Sequence, residues 1–169
     1  MIKRIVCGIL FIFGAALLQS TVLSRLALYV RVVPDISLIF LVFIAYMNGV
    51  MTGQLTGFVS GFLMDFISAA PLGFHAFVRT LTGALAGFLK GTFFVGFFLL
   101  PMSLCAGATL FKALVYYLLH LILEGAVPFY NVIGLEFLIE LGMNTLLAPF
   151  LFFFLKLFGS LLMEQRRNA

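Results

Sequence analysis

The chain has 169 residues, of which 64% are apolar and only 9% charged, with 22 Phe, no Trp and a mean hydropathy of +1.24. Soluble chains carry about 25% charged residues, and a fold of this size could not hide so much apolar surface from water, so the solvent is lipid. The net charge of +4 comes from ten scattered Lys and Arg; with no basic stripe and no RNA-binding motif, it excludes nucleic acid as a partner.

Only helices or a closed barrel can span a bilayer, and the apolar runs are long, without strand-like alternation, so the spans are helical. Lys3 and Arg4 precede an apolar run that continues from Ile5 to Leu23. It is long for a signal core and no small-x-small cleavage site follows, so it reads as a retained first span. "SRLALYVRVV", with Arg25 and Arg31, is an amphipathic connection at the interface. Pro34 and Asp35 then open a helix, where proline is tolerated and an acid meets the positive end of the dipole. From Pro34 to Ile67 only Asp35 and Asp65 are charged. One helix of that length would measure about 51 Å against a hydrocarbon core of about 30 Å. It divides into two spans, 34–48 and 51–67, at "MNGVMTG".

"SAAPL" makes the next turn, followed by a span at 73–89 closed by Lys90 and Gly91. A fifth span, 97–121, contains Pro101 and has a bent entry in "GTFFVGFFLLP". "EGAVPFYNV" connects it to a sixth, 135–158, whose "FLFFFL" run is lipid-facing bulk, and "EQRRNA" is a short tail. The expected fold is an all-α integral membrane protein, a six-helix bundle in a single domain, with five spans as the alternative, which would put Arg166 and Arg167 outside. With the N-terminus inside, Lys3, Arg4, Lys90, Lys156, Arg166 and Arg167 fall on the cytoplasmic side. Arg25, Arg31, Asp35 and Glu124 fall outside, which satisfies the positive-inside rule with both termini cytoplasmic.

Gly49, Gly53, Gly57 and Gly61 recur at every fourth position, and the next step lands on Asp65. In lipid, helices associate where small residues let backbones approach, so this row is a packing seam. His75, Arg79, Gly83, Gly87 and Gly91 form a second row with the same step. The short turn between them makes the two rows an antiparallel hairpin, with both polar ends near the turn. An intramembrane charge is costly and usually paired. The expected partner of Asp65 is therefore His75 or Arg79, with lipid headgroups and a partner protein as alternatives.

Lys112, Tyr116 and His120 share one face of the fifth span, and Glu136, Glu140 and Asn144 share one face of the sixth. Opposite charges on antiparallel neighbours form an internal electrostatic zipper, read either as a register device or as a polar cavity or docking surface. No nucleophile–base set, metal spacing or phosphate loop is present, so no catalysis and no cofactor is expected. Cys7 and Cys105 sit apart in apolar runs as inert thiols.

"LLQSTVLSRL" (17–26), "VPDISLIFLVFIAY" (33–46) and "GQLTGFVSGFLMDFISAAPLGFHAF" (53–77) together resemble the MreD family, the rod-shape-determining multispanning proteins of bacterial inner membranes. The resemblance implies a non-enzymatic subunit of the cell-elongation machinery. It would work with MreC, the actin-like MreB, and the RodA and penicillin-binding-protein synthases. It also implies a six-helix fold similar to the substrate-binding S components of energy-coupling-factor vitamin transporters. From that similarity comes the rival reading, a small-molecule-binding transporter subunit. It would need a polar, aromatic-lined outer pocket, and the short outer loops and lack of Trp speak against it.

Overall fold

A computed structural model describes residues 2–23, 32–68, 70–92, 96, 98–123 and 134–162, except the side chains of 2–4 and 22–23. The connection with Arg25 and Arg31, the bent entry at 93–95 and 97, the connection at 124–132 with Glu124, and the tail with Arg166 and Arg167 lie outside the described residues. So do Ala69 of the "SAAPL" turn and the side chains of Lys3 and Arg4.

All regular structure among the described residues is helical. Helix α1, Ile2–Leu18, runs on into a π-helical turn at Gln19–Leu23. There Ser20 and Thr21 turn their hydroxyls back onto the Leu17 carbonyl. Then follow α2 (Ile36–Asn48), α3 (Val50–Ile67), α4 (Phe74–Phe88), α5 (Leu99–Ile122), α6 (Leu135–Leu157) and the short α7 (Gly159–Leu162). Three of these, α3, α5 and α6, are long and apolar enough to cross a membrane. At 13 and 15 residues, α2 and α4 are shorter, about 20 Å and 22 Å.

Helix α2 is the axis of the bundle. Every residue from Ser37 to Tyr46 is buried, as expected of a helix that is apolar all round. Around it pack Ile12 of α1, Ala86 of α4, Cys105 and Ala108 of α5, and Ala148 and Phe152 of α6. Phe43 and Phe152 meet edge to face at 5.0 Å. The "FLFFFL" run is therefore not lipid-facing throughout. Phe150, Phe153 and Phe154 are exposed, but Phe152 and Leu155 turn into the core because a helix cannot keep six consecutive residues on one side.

The chain breaks between α2 and α3 at Gly49, whose φ of +98° is a conformation that favours glycine. Beyond it the two glycine rows face each other as an antiparallel hairpin. A Cβ on Gly53 would strike the Gly83 backbone, one on Gly57 that of Arg79, one on Gly61 that of His75 and Ala76, and one on Gly87 that of Gly49 and Val50. The opposed pairs are thus 49 with 87, 53 with 83, 57 with 79 and 61 with 75. Gly49 closes the seam from the α2–α3 break and not from within a helix. Gly91 does not belong to the seam at all: it lies in the turn after α4 at φ +74°, with open space where its side chain would be.

Candidate functional site: a buried ion cluster joining four helices

Asp65 is buried, 3% exposed, at the end of the α3 row. The expected side-chain pair with His75 or Arg79 does not form there. Its carboxylate instead accepts three backbone N–H groups at the start of α4: Gly73 at 2.9 Å, His75 at 2.8 Å and Ala76 at 3.3 Å. The first N–H groups of a helix have no partner within it, and the helix dipole favours a negative charge beside them. Asp65 therefore caps α4 from the neighbouring helix. Arg79 sits opposite Gly57, two helical turns from Asp65, which explains why the two side chains do not meet.

The guanidinium of Arg79 turns the other way, toward α2. Asp35 stands just before α2 and caps it, Oδ1 accepting from the Leu38 N–H at 3.0 Å. Arg79 Nη2 lies 3.4 Å from the same oxygen and also donates to Ser37 Oγ. Ser37 in turn donates to Asp35 Oδ1 at 2.9 Å. From α5, Lys112 Nζ reaches Asp35 Oδ2 at 2.9 Å and Glu140 Oε1 of α6 at 2.7 Å. One turn deeper, Asn144 accepts from the Asp35 N–H at 2.8 Å and donates to Thr109 Oγ1 at 3.1 Å. All four ionised residues are no more than 9% exposed. Two acids and two bases thus sit together with no net charge, and the set ties α2, α4, α5 and α6 to one another.

A second polar contact stands beside this cluster. The Tyr116 hydroxyl and His75 Nδ1 are 3.1 Å apart, bridging α5 to α4. His75 is one turn from Arg79, and Tyr116 one turn from Lys112, so both lie toward the end of the bundle where α4 begins. Still further out, His120 is part-exposed and Glu136 exposed.

The zipper anticipated between α5 and α6 is thus realised at Lys112 and Glu140. It also recruits Arg79, which the facing rows alone would pair with Asp65. Sequence reasoning missed Asp35, Ser37 and Thr109. Local sequence makes Asp35 an outer-side cap, but it precedes a helix with no polar face. Such a helix is enclosed on all sides, so its cap is enclosed as well and needs cations. That signal was available.

Among the described residues no group of three His, Cys, Asp or Glu could hold a metal ion. Two surface grooves among the described residues have mostly apolar walls. One runs between α1, α2 and α6 past Leu10, Gly14 and Phe40, the other between α4 and α5 past Leu85, Gly107 and Ala108. No curated protein and no solved structure matches the chain. The sequence pattern of the rod shape-determining protein MreD does, over residues 1–158. That span takes in both glycine rows, the Asp65 cap and every member of the ion cluster, and the chain belongs to the MreD family of membrane proteins that determine rod shape.

Proposed function

We propose that the chain is a non-enzymatic subunit of the cell-elongation complex in the bacterial inner membrane, scaffolding or regulating lateral peptidoglycan synthesis together with MreC. In this reading it spans the membrane six times, keeps both termini in the cytoplasm and folds like the S component of a vitamin transporter. MreB, RodA and a penicillin-binding protein are reached directly or through MreC. Beyond family membership, one observation supports a scaffold: the ionised groups at the centre of the bundle are tied to one another across four helices. Ionisable residues inside a membrane are costly and almost always paired; here the partners stand on four different helices, as a structural joint requires.

Purification of the full chain from native membranes in mild detergent tests the reading. MreC should co-purify in near-stoichiometric amount. Recovery of an ATP-driven transporter module in its place would overturn the scaffold role. Reporter fusions at Ala169 and near Val127 should report inside and outside respectively; matching signals would refute the six-span topology.

A further inference from the structure

Helix α3 carries a polar group that its own bundle does not answer. One face of the helix, through Gly53, Gly57 and Gly61, is taken up by α4, and the opposite face is exposed. On that exposed face Gln54, Phe58, Phe62 and Phe66 recur at every fourth position, with Met51 and Leu55 beside Gln54. Gln54 makes no hydrogen bond among the described residues. Hydroxyls in these helices have a local remedy. Those of Thr56, Ser60, Thr82, Ser103 and Thr145 each donate to a carbonyl three or four residues back. The amide oxygen of a glutamine can only accept, and the N–H groups of a helix interior are already committed to its own carbonyls. In hydrocarbon an unpaired amide is costly, and a polar side chain in a membrane helix finds its partner on another helix.

We propose that the exposed face of α3 is the contact between two copies of this chain, with Gln54 pairing with Gln54 of the second copy. A primary amide is self-complementary: it offers two donors and a carbonyl oxygen, so two of them exchange N–H···O bonds in both directions. The bilayer supplies the geometry. Two copies inserted with the same orientation are related by a two-fold axis along the membrane normal, so a residue at that axis meets its own counterpart at the same depth. A row on the outer side of one helix therefore meets itself. Phe58 and Phe62, 53% and 43% exposed, have near-parallel rings 6.2 Å apart and extend the contact beyond the amide pair. A helix of a different protein would need a polar group at this one depth, whereas a second copy always has it. The inference rests on α3 crossing the bilayer and not on the partners assigned above.

Disulfide cross-linking of the purified full chain in liposomes tests it. Leu55→Cys and Phe58→Cys place a thiol beside the amide on the exposed face of α3, and Leu114→Cys places one on an exposed face of α5. The unaltered chain, with Cys7 and Cys105, gives the background. Under a mild oxidant the dimer should form severalfold faster from the two α3 positions than from Leu114→Cys. Adding Gln54→Leu to Phe58→Cys, an exposed change that keeps apolar bulk, should slow dimer formation severalfold. Dimer formation no faster at the α3 positions than at Leu114→Cys would overturn the proposal and leave Gln54 to the headgroups nearest the start of α3. An unchanged rate with Gln54→Leu would overturn the amide pair and the proposal with it. The liposomes hold no other protein, so neither result bears on the capture of MreC.

Discussion

Replacing Lys112 with Met keeps most of the aliphatic stem and removes one charge from the centre of the cluster. That charge serves two carboxylates, at 2.9 Å and 2.7 Å, and both would remain buried. Asp35 would keep its hydrogen bonds from Leu38 and Ser37 but, of its two cations, only Arg79 at 3.4 Å. Stranding one buried charge typically costs about 3–5 kcal/mol, a large share of a total stability of about 5–15 kcal/mol. Glu140→Gln is milder, because the amide oxygen still accepts from Lys112 and Lys112 still has Asp35. Its expected cost is about 1.5–3 kcal/mol, that of a hydrogen bond to a charged group. Making both changes removes one charge of each sign and leaves Asp35 and Arg79 balanced. The double variant should then be less damaged than the sum of the singles, by about 1–3 kcal/mol of coupling. Reversible unfolding in mixed micelles, with the folded fraction read at each detergent ratio, measures all three. Strict additivity would show that Lys112 and Glu140 do not interact. Equal damage from Lys112→Met and Glu140→Gln would show that the second contact, to Asp35, is not made.

Gly57→Leu should sharply reduce accumulation in the membrane, since its Cβ would press on the Arg79 backbone, while Gly107→Leu, with open space around it, should accumulate normally. Immunoblots of the membrane fraction compare the two. Asp65→Ala removes the acceptor of three N–H groups at the start of α4 and should cost about 1–2 kcal/mol, as for a lost N-cap; Asp65→Asn, which keeps one oxygen, should fall between it and wild type in the same unfolding measurement. Phe152→Ala should cost about 3–5 kcal/mol by opening a cavity against Phe43, whereas Phe150→Ala, on the exposed side of the same run, should stay within about 0.5 kcal/mol of wild type.

Much of the hairpin was legible, because a fourfold glycine step fixes both a helical face and the closeness of its neighbour. The register of 53 against 83 and 57 against 79 follows once the turn is placed near Pro71. Two members of the rows escaped that logic. Gly49 and Gly91 share the step of four but adopt positive φ, and a periodic count cannot tell a packing glycine from one that ends a helix. The side-chain partners were harder to read. Asp65 and Arg79 lie on facing rows, so pairing them was the economical choice. Which way a guanidinium turns depends on a third helix, however, and α2 lies more than 30 residues upstream. Asp35 was hidden for a related reason: it opens a helix, and a local capping role accounts for it completely when the chain is read in one dimension. The hydrogen bond from Leu38 is indeed there. What the sequence could not express is that one carboxylate serves as a cap and as the hub of two cations at the same time.

The bundle uses two kinds of fastening, and only α4 takes part in both. Helices α3 and α4 are joined by backbone contact through glycine, with approaches too close for any side chain. Helices α5 and α6 have no such seam: a side chain on Gly107 or Gly142 would meet nothing within 4 Å. Lipid gives apolar helices no reason to prefer one another over the bilayer, so packing by Leu and Phe alone would leave α5 and α6 free to slide or turn. The ion cluster supplies the missing specification. Lys112 and Glu140 set the height of α5 against α6, Asn144 and Thr109 repeat the match one turn deeper, and Asp35 fixes both to the axis helix. Charge is costly to bury and gains little in net stability, but only one register satisfies all these contacts together. Damage to the cluster should therefore loosen α5 and α6 first and leave the α3–α4 hairpin intact, since nothing in the glycine seam depends on charge.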